Sequence, residues 1–199
     1  MEHEFQTWTS SINQVALGER VELWFDAHAR RCSGSTLLAF RPAVGYRWLP
    51  KLVTHVGYGW VPTFPDAGPA WHEHRIWEQL VWSAPVGHGF SVMLRPRVEH
   101  RFASIGDDVG HRARVFVRSA WQPTPDADWL LAVTNETFFG LNRTDWGTPA
   151  GFDQNRAFAG IGLPSRSGVR FEVGYLNVYL KRAPDQMVHG LAINAFLAL

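Results

Sequence analysis

Between Met93 and Trp121 the chain alternates residue by residue. Arg95, Arg97, Glu99 and Arg101 share one parity, and Leu94, Pro96, Val98 and Phe102 share the other with His100. Past a polar turn, Arg112, Arg114 and Arg118 are set against Ala113, Val115, Val117 and Trp121. Successive side chains of a strand point to opposite faces, so this period of two predicts a hairpin with one charged and one apolar face. The same alternation runs through Glu22, Trp24, Asp26, His28 and Arg30 against Val21, Leu23, Phe25, Ala27 and Ala29. It returns in Leu38, Phe40, Val44, Tyr46 and Trp48 against Arg41, Ala43, Gly45 and Arg47.

Taken along the whole chain, the pattern predicts eleven strands. They cover residues 5–17, 20–30, 36–48, 52–61, 71–82, the two arms of 93–121, 129–141, 152–163, 169–180 and 187–199. No stretch has a helical period. Strands of 10 to 14 residues exceed the roughly 5–6 usual in soluble sheets and suit a tilted crossing of a bilayer, which takes about 9–11. Connections after the third, fifth and ninth strands are short, and those after the fourth (62–70) and eighth (142–151) are long. Outer-membrane barrels alternate connections in this way. Trp48, Trp82, Trp121 and Trp129 fall by the shorter turns and Trp60, Trp71 and Trp146 by the long loops, which predicts two interfacial girdles.

The expected fold is therefore all-β, an antiparallel up-and-down transmembrane barrel of 10–12 strands over residues 1–199, with arginines inside and apolar residues toward lipid. A lipocalin-like soluble barrel has the opposite arrangement. Three features sit awkwardly. An odd count departs from the even number of bacterial single-chain barrels, so the first segment is expected outside the ladder, or one strand is missed or split. Pro42 and Pro96 fall mid-strand, where each removes a ladder donor and calls for a bulge. Glu78 shares parity with Ile76 and Leu80.

Composition sharpens this picture. The net charge of +1 argues against a nucleic-acid binder driven by bulk charge. Of 19 basic residues only Lys51 and Lys181 are lysine, and arginine's planar fork suits crowded networks with carboxylates. Cys32 is the single cysteine, which excludes an internal disulfide or a cysteine metal cluster. No apolar run is long enough for a transmembrane helix, and the Met1-Glu-His-Glu start lacks the character of a secretion signal. An outer-membrane location then implies a mature form whose signal has been removed.

The terminal segment places Leu191, Ile193, Ala195, Leu197 and Leu199 on one parity. That arrangement resembles the signal read by the outer-membrane insertion machinery, although the chain ends in Leu rather than the usual aromatic residue. Other stretches carry a wider resemblance. Leu38-Ala-Phe-Arg-Pro-Ala-Val-Gly-Tyr46, Glu73-His-Arg-Ile-Trp-Glu-Gln-Leu80, Arg97-Val-Glu-His-Arg101, Asn135-Glu136 with Phe138, Phe152-Asp-Gln-Asn-Arg156 and Gly174-Tyr175-Leu176 follow in that order. Together they resemble a proteobacterial outer-membrane family known as domain of unknown function 2490. The resemblance implies a barrel in the Gram-negative outer membrane and carries no activity with it.

Candidate chemistry centres on the inward face. Glu22, Asp26, Arg30, Arg41, Arg47, Arg75, Gln79, Arg95, Arg97, Glu99, Arg101, Arg112, Arg114, Arg118, Glu136, Arg156 and Asn177 are expected to point inward, eleven arginines against four carboxylates. The solute-binding candidates are Arg41, Arg75, Arg95, Arg97, Glu99, Arg101, Arg112, Arg114, Arg118, Glu136 and Arg156. Two readings stay open: a non-conducting structural barrel with a salt-bridged lumen, whose loops 62–70 and 142–151 make outside contacts, or a hydrated porin-like passage or pocket for small anionic solutes. No serine elbow stands out for a lipid-modifying enzyme. His72, Glu73 and His74 are the nearest approach to a catalytic or metal set, but neighbours on a strand point to opposite faces. No catalytic residue, metal or cofactor is assigned. The expected partners are outer-membrane lipid, the insertion machinery and a small anionic solute, with no nucleic acid.

Overall fold

The computed structural model describes residues 1–164 and 168–198. The residues of the turn at 165–167 and the terminal Leu199, both used above, lie outside the described residues. Eleven strands follow in order: β1 (Glu2–Ala16), β2 (Val21–Cys32), β3 (Ser35–Leu49), β4 (Leu52–Pro65), β5 (Trp71–Gly87), β6 (Phe90–Ala103), β7 (Val109–Trp121), β8 (Leu130–Gly140), β9 (Gly151–Pro164), β10 (Val169–Leu180) and β11 (Gln186–Ala198). They form one closed barrel in which each strand pairs with its sequence neighbours.

The odd count is real. β1 belongs to the ladder, antiparallel to β2 and parallel to β11 from Glu2↔Gln186 to Gln14↔Ala198. An up-and-down chain with an odd number of strands sends its first and last in the same direction. Closure must then be parallel, and no strand is missing or split.

The prolines correct a second expectation, because neither sits at a bulge. Pro42 keeps its place opposite Phe25, and Pro96 opposite Val115. On its other side each leaves a short gap in the ladder, between Phe40↔Trp60 and Ala43↔Gly57 and between Gln79↔Arg97 and Trp82↔Leu94, with the register unchanged. A missing N–H costs rungs toward one neighbour only, which the intact partner ladder can tolerate. The register shifts lie elsewhere, at Arg47/Leu49, Pro85/Gly87 and Phe138/Phe139.

The two faces of the wall separate by parity. Leu23, Phe25, Val44, Val56, Ile76, Val98, Val115, Val117, Leu131, Val133, Ile161 and Val173 are all exposed on the outside. Glu22, Asp26, Arg41, Glu73, Arg75, Arg97, Glu99, Arg112 and Arg114 are buried within. Glu78 is exposed on the outer face between Val56 and Val98, as its parity implied.

We call the rim bearing the connections 66–70, 104–108 and 141–150 the upper rim and the opposite one the lower. The alternation of loop lengths is imperfect: residues 33–34 make a tight upper turn, and 122–129 a longer lower one. Trp48, Trp82 and Trp129 stand exposed at the lower rim, with Trp121 edge-on to Trp129 at 5.8 Å. Among the described residues of the upper rim, only Trp60 joins an outer girdle. Trp71 and Trp146 instead line the mouth of the barrel, because Trp71 has the inward parity of Glu73 and Trp146 lies on a loop that folds over the opening.

Inside, two apolar clusters frame the charges. Trp24, Ala43 and Trp77 pack together on one side. Ala120, Leu130, Ala132, Phe158, Leu176, Val178, Val188 and Ala192 form the other. Trp77 is completely buried, and a Cβ on Gly57, its register partner, would meet the indole at 2.3 Å. The space left by that glycine is filled by one tryptophan.

Candidate functional site: two chambers and a septum

The interior charges form a layered network. Glu99, fully buried, is bonded by Arg112 (Nε to Oε2 at 2.9 Å) and by the Arg114 guanidinium, with Arg97 at 3.6 Å. Glu136 accepts from Arg114 at 2.7 Å, with Arg95 at 3.7 Å and Arg156 at 4.0 Å. Toward the upper rim, Glu73 is held by Arg101 at 2.8 Å and Arg75 at 2.9 Å. Asp26 pairs with Arg41 and accepts from the Trp24 indole at 3.0 Å. Gln79 accepts two bonds from Arg97, at 3.0 and 2.6 Å.

Aromatic rings carry part of the positive charge. Phe138, completely buried, lies beneath Arg112, Arg114 and Arg156, whose guanidinium carbons stand 5.2, 4.6 and 4.2 Å from its ring centre. Arg97 stands 4.1 Å over Trp77, and Arg30 stands 3.9 Å over Trp8. A ring face attracts a cation through its quadrupole and accepts no proton. Stacked arginines therefore keep donors free for another acceptor.

The network divides the interior into two chambers. The upper one, about 290 Å³, is lined by eight arginines (Arg30, Arg41, Arg75, Arg101, Arg112, Arg114, Arg156 and Arg182) and two carboxylates, Glu73 and Asp153. The lower one, about 280 Å³, is lined by seven arginines, by Asp26, Glu136 and Glu172, and by a largely apolar wall. Arg30, Arg41, Arg114 and Arg156 line both, so they form the septum between them. Within the described residues, the Arg30 Nε is buried without a hydrogen-bond partner.

The eleven candidate residues of the sequence reading sort among these layers. Arg41, Arg75, Arg101, Arg112, Arg114 and Arg156 meet at the upper chamber. Arg95, Arg118 and Glu136 line the lower one. Arg97 and Glu99 lie buried and line neither. One of the other inward expectations is overturned. Asn177 shares the outward parity of exposed Phe171, Val173 and Tyr175, and it bonds Met187 and the Val188 carbonyl on the neighbouring strand. Glu172, Leu176 and Val178 take the interior instead.

Residues absent from the candidate set matter as much. Glu73 shares parity with Arg75, and that parity was the signal that could have found it. His72 and His74 lie on the opposite, outer face, which separates them from Glu73. Glu172, Arg170, Asp153 and Arg182 also line the chambers. Trp146 sits on a loop, where periodicity offers no guide.

That loop lies across part of the mouth of the upper chamber, where Trp146, Gly147, Thr148 and Pro149 line it. The carboxylate of Asp145 accepts from the backbone N–H groups of Asp107 (2.9 Å) and Asp108 (3.2 Å), and its own N–H donates to the Asp108 carboxylate at 2.8 Å. The Trp146 indole donates to the Asp108 carbonyl at 2.8 Å, and its ring lies 4.8 Å from the Arg101 guanidinium carbon. A Cβ on Gly106 or Gly110 would strike Trp146 at 2.7 Å, so both glycines make the berth for this ring. The donated N–H of Asp107 is the main reason that the Asp145 carboxyl titrates below its ordinary range.

A family model described as "Protein of unknown function (DUF2490)" matches residues 5–189 of the chain. The chain belongs to that family. An uncharacterized protein of Methylorubrum extorquens (strain AM1) is 36% identical over 163 residues, which cover 80% of this chain and 72% of that protein. No solved structure matches the chain. The DUF2490 match runs from β1 into β11; it takes in the whole lining of the upper chamber and stops short of Ala192, Asn194, Phe196, Leu197 and Ala198 of the lower one.

Proposed function

We propose that this DUF2490 chain is an integral outer-membrane barrel that captures small hydrophilic anions in its upper chamber. The observation that carries the reading is charge: eight arginines and two carboxylates face about 290 Å³ beneath a loop lid. Asp26, Glu99 and Glu136 reach Arg41, Arg112, Arg114 and Arg156 from outside that lining, so five carboxylates in all meet the eight guanidinium groups, and an oxyanion fits the forks of the positive charge left over. The apolar outer face, the strand lengths and the exposed rim tryptophans support a lipid setting. The septum favours capture over free flow, because four arginines stand between the chambers. The density of ion pairs around Glu99 also supports a second reading, a non-conducting structural barrel whose arginines only brace the wall.

The test is phosphate binding by calorimetry, with the refolded protein in phospholipid vesicles, joined to planar-bilayer recording. Capture predicts saturable phosphate binding, weakened about tenfold or more in Arg75→Gln and Arg156→Gln, on the scale of one charged hydrogen bond. It also predicts bilayers that stay silent. Absence of saturable binding for phosphate, sulfate and acetate would leave the bracing reading. A steady anion-selective current would replace capture with passage.

A further inference from the structure

We infer that the lower chamber is a separate binding site for an amphiphilic carboxylate, a medium-chain aliphatic acid, rather than an extension of the hydrophilic anion site. Its wall is built of Trp8, Ile12, Phe116, Phe158, Leu176 and Phe196. These residues give a tail the burial that water denies it. The volume of about 280 Å³ is at the low end for ligand pockets, which run from about 300 Å³ upward. It suits a short chain and excludes a whole phospholipid.

The head-group end is equally specific. Arg118 and Arg170 share one carboxylate, Glu172, at 2.5 and 3.1 Å. Among the described residues the Arg118 Nε is buried without a hydrogen-bond partner. One carboxylate between two guanidinium groups leaves a positive charge and a free donor, which an incoming carboxylate satisfies by the fork geometry that arginine offers. Arg170 also lies 4.4 Å from the Phe196 ring centre, so the cationic and apolar surfaces are continuous. The chamber reaches the lower rim, where Gly168 and Ala198 line it. A ligand enters there without passing the septum. The contrast with the upper chamber is one of walls: guanidinium above, hydrocarbon below.

The test uses the full chain refolded into an amphipathic polymer belt, free of alkyl detergents, so it does not depend on the membrane reading. Equilibrium dialysis follows straight-chain alkanoates of six to twelve carbons against a protein-free polymer blank. The expected result is one saturable site whose affinity rises roughly fourfold per methylene, the equivalent of about 0.8 kcal/mol, until the chamber is full. Alkanols of the same length bind more than tenfold more weakly, and so do the acids to Arg118→Gln and Arg170→Gln. Thr134→Trp, which places an indole in the chamber, abolishes binding while the barrel keeps its heat-modifiable gel migration. Should that variant misfold, excess phosphate supplies a second arm, since it is expected not to displace decanoate. A flat dependence on chain length, binding that survives Thr134→Trp in a folded barrel, or displacement by phosphate would overturn the inference. None of these results bears on whether phosphate binds in the upper chamber.

Discussion

Above the septum the wall presents guanidinium groups paired to Glu73 and Asp153, and a loop carrying Trp146 lies across the opening. Below it, arginines of the same barrel stand among Trp8, Phe116, Phe158 and Phe196, and the described lining runs out to the rim. Both halves use the same inward parity and the same arginine chemistry. What separates them is the residue opposite. β10 and β11 bring Leu176, Ala192 and Phe196 to the lower chamber, whereas β3, β5 and β6 bring Arg41, Glu73, Arg75 and Arg101 to the upper one. An arginine facing a carboxylate makes an ion pair, and one facing hydrocarbon keeps a free donor for a guest. The comparison teaches that counting arginines says little about a barrel until their partners are known.

The largest expected effect comes from breaking the buried ion network that holds Arg114 of the septum. Glu99→Gln leaves Arg97, Arg112 and Arg114 without their shared carboxylate. Removing one member of a buried ion network costs about 3–5 kcal/mol, to be read as a lowered urea midpoint of the refolded barrel. An unchanged midpoint would mean that the layer is held by water rather than by this carboxylate. Next in size are Val115→Arg and Val117→Arg, at outer positions 41% exposed. A charge on a lipid-facing surface at mid-depth costs about 2–4 kcal/mol, so both variants are expected to fail to insert into vesicles. Normal insertion of both would contradict a lipid-facing exterior.

Gly57→Leu drives a side chain into Trp77, and such overpacking costs about 1–3 kcal/mol. The double variant with Trp77→Ala is expected to recover part of the loss, because the two sites share one space. Simple additivity of the two in urea unfolding would disprove the coupling.

The smallest effect acts on the upper chamber alone. The folded Asp145 carboxyl titrates below its unfolded value, held chiefly by the Asp107 N–H. Its contribution to the lid is therefore complete above about pH 4 and fades as the pH falls through the depressed value. Protease cleavage within residues 141–150 should be slow at pH 6 and faster near pH 3, with Asp145→Asn removing most of that difference. Cleavage that ignores both pH and the substitution would show that the clasp does not hold the lid.

Much of the architecture was legible because a period of two is hard to mistake when one parity is arginine. The strands, their approximate ends and the exposed Val115 and Val117 all follow from it. It failed where both parities are apolar. In β10, Phe171, Val173 and Tyr175 compete with Leu176 and Val178, and nothing local says which set faces in. Parity alone therefore puts Asn177 inside and passes over Glu172. Trp71 and Trp146 fit a girdle by position because sequence gives distance from a loop and not direction. The chambers themselves depend on contacts between strands far apart in the chain, such as Arg118 of β7 with Glu172 of β10, which no local pattern records.

The parallel seam has a kinetic consequence. Ten of the eleven junctions join strands adjacent in sequence and can form as hairpins. The eleventh joins Ser10 to Asn194, whose side chains bond at 2.6 Å across 184 positions. Contacts of that span are slow to form, because most of the chain must already be ordered before they stabilise anything. β1 and β11 should therefore meet last, as a zipper drawn shut on a sheet already curled, and an intermediate lacking only that seam would hold every other ladder intact.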